Sequence, residues 1–373
     1  MNIVLDANII CADLPLQGIA FRVFLGGLPR TGAACHVPAV VVDEVLAKYR
    51  RELIDARKKL EQANRGWRHL TESELCPEIT DAAITRETEA YRQRLQRRFA
   101  DAGIAILPYP SVPHEDLVRR AVERRKPFRE SGTGYRDALI WESALALFAR
   151  DSSPLLLVTD NAHDFGEGPV PHPDLVADLT ARSLPETGVR VVRSLQDLNS
   201  ELILPRLRQL DELASQIRAS TCETFSLREW IDRELQALLE YSDWDTALVG
   251  LDPGSATVGI GGLSPRGAPV VDDLRLLPNG DMVLAANADM SGDVTVFATA
   301  RQLRGHSEIR DFLGDEGHGD ATAWLPVHAN VAFTLILRAD TLEVQSADVD
   351  EVDGDFGCVS ANPHPRTRKR AAG

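Results

Sequence analysis

Four acidic residues stand where a reaction centre is easiest to build: Asp6, Glu44, Asp137 and Asp160. Asp6 ends the apolar run Ile3-Val4-Leu5, and Asp160 ends a second, Leu155-Leu156-Leu157-Val158-Thr159, with Asn8 and Asn161 close behind. Glu44 and Asp137 each fall in the first turn of a helical pattern. Taken singly, Asp6 reads equally as the cap of a following turn, and Asp137 as half of a salt bridge to Arg136 or another arginine. Taken together they raise an electrostatic problem, because gathered carboxylates repel one another. Unless their protons are retained, the ordinary remedy is a hard divalent cation, Mg²⁺ or Mn²⁺; Mg²⁺ takes oxygen ligands at about 2.0–2.1 Å and keeps several waters. Such an ion polarises phosphoryl oxygens and activates water, which suits phosphodiester hydrolysis.

The elements around these acids explain how they could meet. Ile3–Leu5 and Pro154–Val158 are unbroken apolar runs, the pattern of strands covered on both faces in a parallel sheet. In such sheets ligands bind beyond the carboxyl ends of the strands, where the following helices begin. Further strands are expected near Cys35–Val40, Ile104–Leu107 and Val189–Val192. From Val41 the apolar positions Val42, Val45, Leu46, Tyr49, Leu53, Ala56 and Leu60 recur at helical spacing, and Glu44, Lys48, Arg51 and Asp55 share another stripe. A second long helix is expected over Thr80–Phe99, with five arginines, and a third from His114 to Lys126, closing on Arg124-Arg125-Lys126. The Ser/Gly/Thr stretch before Gly134 reads as a loop, and a helix starting there puts Asp137 at the head of the apolar stripe Ile140, Trp141, Ala144 and Phe148. An unpartnered carboxylate there would cost several kcal/mol. It needs a cation.

Length favours two domains. The net charge of −15 is uneven: residues 1–170 carry 23 Lys and Arg against 24 Asp and Glu, and the remainder 18 against 32. The acidity therefore belongs to the second half. Each basic helical run in the first half reads alone as a solvated face. Three in one charge-balanced region suggest instead a groove for a polyanionic backbone, with Lys48, Arg51, Arg124, Arg125, Lys126 and Arg136 as its candidate contacts. Five scattered cysteines without a CxxC pair exclude a zinc knuckle or disulfide framework. No run approaches the ~18 apolar residues of a membrane span, so the expectation is a soluble cytoplasmic protein.

Residues 196–244 read as a helical connector and 245–353 as a β-rich module of short alternating strands, including Met282–Ala286 and Val294–Ala298, with a tight turn at Pro278-Asn279-Gly280-Asp281. Residues 354–373, ending in Arg366-Thr367-Arg368-Lys369-Arg370, read as a disordered basic tail.

Asp6-Ala7-Asn8 after a strand, Glu44 and Asp137 on helices, and Thr159-Asp160-Asn161 at a strand end resemble a PIN domain, the metal-dependent ribonuclease fold of many toxins and RNA-processing enzymes. Lys126-Pro127-Phe128 followed by Gly132-Thr133-Gly134-Tyr135-Arg136-Asp137-Ala138-Leu139-Ile140-Trp141 resembles one bacterial PIN-like subfamily of unknown function in particular. The resemblance covers about residues 1–166, or up to 195 with the closing strand. It implies an α/β fold with a PIN-like central parallel sheet flanked by helices, and Asp6, Glu44, Asp137 and Asp160 as ligands of Mg²⁺ or Mn²⁺. Asn8 and Thr159 would support them from behind, Asp164 would be a fifth acid, and single-stranded RNA would be the substrate. The basic insertion at about residues 60–100 and the whole second half exceed a minimal toxin of this family. A built-in control module, working through a second copy or a regulatory protein, is expected rather than a small antitoxin. Among rivals, a haloacid-dehalogenase-type phosphatase needs Asp where Asn8 stands, and a response-regulator receiver needs a mid-chain strand-end Asp and a late Lys. A non-catalytic PIN-like module that binds RNA or protein is the alternative from a different class.

Overall fold

The computed structural model describes residues 1–71, 73, 77–240, 256–259, 263–305, 312–314 and 320–355. The chain divides into two compact units, Met1–Arg208 and Gln209–Gly373.

In the first unit a sheet of five parallel strands has the order β3-β2-β1-β4-β5. These are β1 (Asn2–Leu5), β2 (Ala34–Pro38), β3 (Ala105–Leu107), β4 (Leu155–Val158) and β5 (Val189–Val192). Every residue of β1 and β4 is buried, as their uniform apolarity requires of central strands covered on both faces. The chain leaves β1 towards β2 and β3 on one side, then returns to β4 and β5 on the other. The carboxyl ends of β1 and β4 therefore flank the switch point of the sheet.

The helices differ from expectation mainly at their ends. Helix α1 (Ala7–Cys11) follows β1 at once and α2 (Ile19–Gly27) comes next. Helix α3 runs from Ala39 to Thr71, directly after β2, so Glu44 lies in its second turn rather than its first. Helix α4 (Asp81–Asp101) is capped by the Thr80 side chain, which accepts from the Ala83 amide. Helix α5 spans His114–Val122, short of the expected Lys126. Arg124 takes a left-handed φ of 54°, and Lys126 precedes a proline, a position that disfavours helix, so the cationic triplet is a turn. Helix α6 (Tyr135–Asp151) begins after Gly134 and is buried continuously from Ala138 to Leu145. Trp141 at its centre donates its indole N–H to Asp178 at 2.8 Å. Helix α7 (Ala162–Phe165) follows β4, and α8 (Pro173–Ala181) carries Asp178.

In the second unit, segments of 209–240 place Leu210, Ile217, Leu227, Ile231, Leu235 and Leu239 in one core with Leu284, Val296, Phe333 and Leu335 of an antiparallel sheet. Its longest strands, Asp281–Thr299 and Asp320–Arg338, pair along their entire lengths. The two short strands expected over Met282–Ala298 are thus one. The same parity is buried from Met282 and Leu284 to Val296 and Ala298 except at Gly292, while Asn287 and Asp289 bond on the other face to Asp272 and Asn330. The Pro278–Asp281 turn joins Val270–Leu276 to the first long strand. Gly354 and Asp355 end the strand Val344–Asp355, and the rest of the expected tail lies outside the described residues, as do Trp244, Cys76 and Cys358. Among the described residues, Cys11, Cys35 and Cys222 are free thiols, and no helix is long and apolar enough to cross a membrane.

Candidate active site

Asp6 closes β1 and is only 3% exposed. Its Oδ1 accepts the Ala7 amide at 2.5 Å, so the capping role is real. Its Oδ2 accepts the Thr159 hydroxyl at 2.5 Å and the Asn8 amide nitrogen at 2.9 Å. Thr159, wholly buried at the end of β4, in turn accepts from the Asn161 backbone at 3.0 Å and from Asn8 at 3.1 Å. Asn8 also accepts the Asp160 amide at 3.2 Å. This web ties the two central strand ends together across 150 residues of chain. No cation touches Asp6 among the described residues.

Asp137, in the first turn of α6, is half-buried, and its one direct side-chain polar contact among the described residues is a long 3.5 Å approach from the Asn161 side chain. Burial, then the negative charges of Asp137 and Glu44, push the Asp6 carboxyl up to about 7 against the pull of its hydrogen bonds. Burial, then Asp164 and Glu44, raise Asp137 to about 6 although Arg129 and Arg136 act against them. Asp6, Asp137 and Glu44 therefore share one electrostatic environment.

The other two expected ligands are differently engaged. Glu44 accepts Nη1 of Arg136 at 2.6 Å. Asp160 has a 78% exposed side chain and faces Nη2 of Arg193 at 3.4 Å. Asp164 is fully buried, and bonds from Arg129, His163, Asn161 and Lys126 outweigh its burial and hold its carboxyl far below the usual range. Among the described residues, no group of three His, Cys, Asp or Glu side chains is arranged to hold a metal ion. Donor chemistry still fits a divalent ion at Asp6 and Asp137, two hard oxygen donors that are in no direct ion pair among the described residues. Mg²⁺ commonly takes only one or two carboxylates and keeps water and substrate phosphate for the rest.

Several expected groove cations are already paired. Lys48 binds Glu52 at 2.6 Å, Arg125 binds Asp178 at 3.0 Å, Lys126 binds Asp164 at 3.3 Å and Arg136 binds Glu44. Arg51 and Arg124 are exposed. Sequence reasoning did not single out Arg129, Arg193 or Asn161 as site members. Only the Asp-Asn repeat after the two central strands signalled Asn161. A cavity of about 320 Å³, lined in part by Leu117, Arg120, Glu142 and Arg182, is lined by none of Asp6, Glu44, Asp137, Asp160 and Asp164.

The five-stranded parallel sheet flanked by helices, with carboxylates beyond the ends of its central strands, is consistent with a PIN-like α/β fold. Residues 3–165 match the family model described as PIN domain, a family whose members are generally nucleases that use divalent metals. No match was found among the curated proteins or the solved structures.

Proposed function

We propose that the first unit is a Mg²⁺- or Mn²⁺-dependent endoribonuclease that hydrolyses single-stranded RNA and leaves a 5′-phosphate. The observation that carries this reading is that Asp6 and Asp137, beside the switch point of a PIN-type sheet, both have raised carboxyls, the charge of Asp137 helping to raise that of Asp6, while neither is in a direct ion pair among the described residues. Asp6 and Asp137 would hold the ion, Glu44 would join on parting from Arg136, and Asp160 would complete the set from the rim. When bound, the ion supplies Lewis-acid polarisation of a phosphoryl oxygen and activation of water. The protein's own contribution is orientation: Thr159 and Asn8 fix Oδ2 of Asp6, and Asn161 spans Asp137 and Asp164. Arg51, Arg124 and the cations released from their acids would receive RNA phosphates. The Lys126–Trp141 segment supports placement in the bacterial subfamily named above, and the likeness to a PIN domain, a fold of many toxins, supports a toxin- or defence-related role.

A second reading, a non-catalytic module that binds RNA or protein, is favoured by the Glu44–Arg136 and Asp160–Arg193 pairs. Labelled single-stranded RNA incubated with Mg²⁺ or Mn²⁺ separates the two. Cleavage is expected from the wild type and should fall by at least about a hundredfold in Asp6→Asn and Asp137→Asn, a loss of the size seen when charge stabilisation is removed. Cleavage that survives both substitutions, or excess EDTA, removes the metal mechanism.

A further inference from the structure

Asp164 is the most heavily engaged carboxylate beside the site. Its Oδ2 accepts Nε and Nη2 of Arg129 at 2.8 and 2.6 Å and the Asn161 side chain at 2.9 Å. Its Oδ1 accepts Lys126 at 3.3 Å and lies 2.9 Å from Nδ1 of His163. One fully buried acid thus grips two cations, Lys126 and Arg129. The Arg129 fork is held on one edge only. Its Nη1 makes no hydrogen bond among the described residues, and its side chain is 48% exposed. The backbone is fixed as well: the Arg129 amide donates to Thr133 and its carbonyl accepts from Gly132, both at 2.8 Å. Asn161, shared by Asp164 and Asp137, sets this guanidinium one side chain away from the acid pair.

We propose that Arg129, oriented by Asp164, anchors the RNA phosphate next to Asp137, and that Asp164 is a positioning residue for this anchor rather than a fifth metal ligand. The inference rests on the nuclease reading above. A planar donor fork whose second edge is open suits a phosphate better than a mobile ammonium, because a guanidinium can present two parallel N–H groups. Holding the first edge on a buried carboxylate removes the rotational freedom that phosphate binding would otherwise have to quench.

The test uses the full chain and a fluorescent single-stranded RNA oligonucleotide, with binding followed in EDTA across a salt series and single-turnover cleavage followed in Mn²⁺. Arg129→Ala is expected to weaken binding about fivefold and to reduce the slope of log Kd against log salt by about one, the signature of one lost phosphate contact. Arg129→Lys should restore the slope but leave cleavage about tenfold slow, since an ammonium cannot span the two sites. Asp164→Asn should keep the slope and also slow cleavage, because the charge remains but its aim is lost. An unchanged slope in Arg129→Ala overturns the proposal. If that variant does not fold, Arg129→Lys decides, and a wild-type cleavage rate in it overturns the anchor. A wild type that binds with this slope yet cleaves nothing ends the nuclease reading and leaves the anchor standing. Cleavage by the wild type with an unchanged slope in Arg129→Ala ends the anchor alone.

Discussion

The Thr159 hydroxyl and the Asn8 amide both point at Oδ2 of Asp6, so this carboxylate is oriented before any ligand arrives. Orientation does not make it comfortable. Its raised value near 7, and that of Asp137 near 6, mean that the folded unit holds protons which the unfolded chain, with carboxyls at an ordinary 3.8, gives up. The stability due to these protonated groups is complete below about pH 4 and is lost as pH rises through about 6 to 7. Asp164 acts in the opposite sense, since its depressed carboxyl stabilises above the ordinary value and loses that contribution only in strong acid. Thermal melts in EDTA should therefore show wild-type stability falling between pH 5 and 8. Asp6→Asn should flatten this by about 2 kcal/mol, from roughly 1.4 kcal/mol per unit of pKa. Parallel pH profiles for the two proteins would show that Asp6 is not the group responsible.

Among elements, the turn before α6 does most to set the site. Gly134 has φ of +124°, and a Cβ there would lie 2.4 Å from the Pro127 carbonyl oxygen and 2.9 Å from Cα of Phe128. The loop that carries Lys126 and Arg129 is thereby pressed against the head of the helix that carries Asp137. Gly134→Ala should cost about 2–3 kcal/mol by chemical denaturation and reduce cleavage, because the helix head must shift. An unaltered midpoint would mean the turn can relax in place. The glycine was visible in the sequence as a helix start, but its close approach was not, since the atoms it avoids belong to a loop folded back on it. The end of α5 was misread for a related reason. Arg124-Arg125-Lys126 continues the helical composition, yet Arg120 and Arg125 are drawn to Asp178, some fifty residues on, and the Lys126 amide to Asp174.

Among the described residues each unit has its own apolar core, and the charge of the chain is strongly unequal between its halves. Leu335 is fully buried in the second core. Leu335→Ala should destabilise that unit by about 2–5 kcal/mol while metal-dependent RNA cleavage stays at the wild-type rate. A matching fall in cleavage would instead assign the acidic unit a part in catalysis or its control. The control role expected of that unit from the sequence, through a second copy or a regulatory protein, is read from the oligomer size and partners of the same variant.

The order of elements, the parallel sheet, and the placing of Asp6 and Thr159-Asp160 at strand ends were all written in local patterns. Apolar runs of so few residues, stopping at a polar one, are too short for a helix of ordinary length and read as buried strands with exposed ends. Which acids lie open and which are answered by a guanidinium was decided only in three dimensions. Glu44 and Arg136 are 92 residues apart, and Asp164 and Arg129 are 35 apart. Ion pairing falls steeply with distance and depends on side-chain direction. Chain spacing contains neither quantity until the sheet has closed around them.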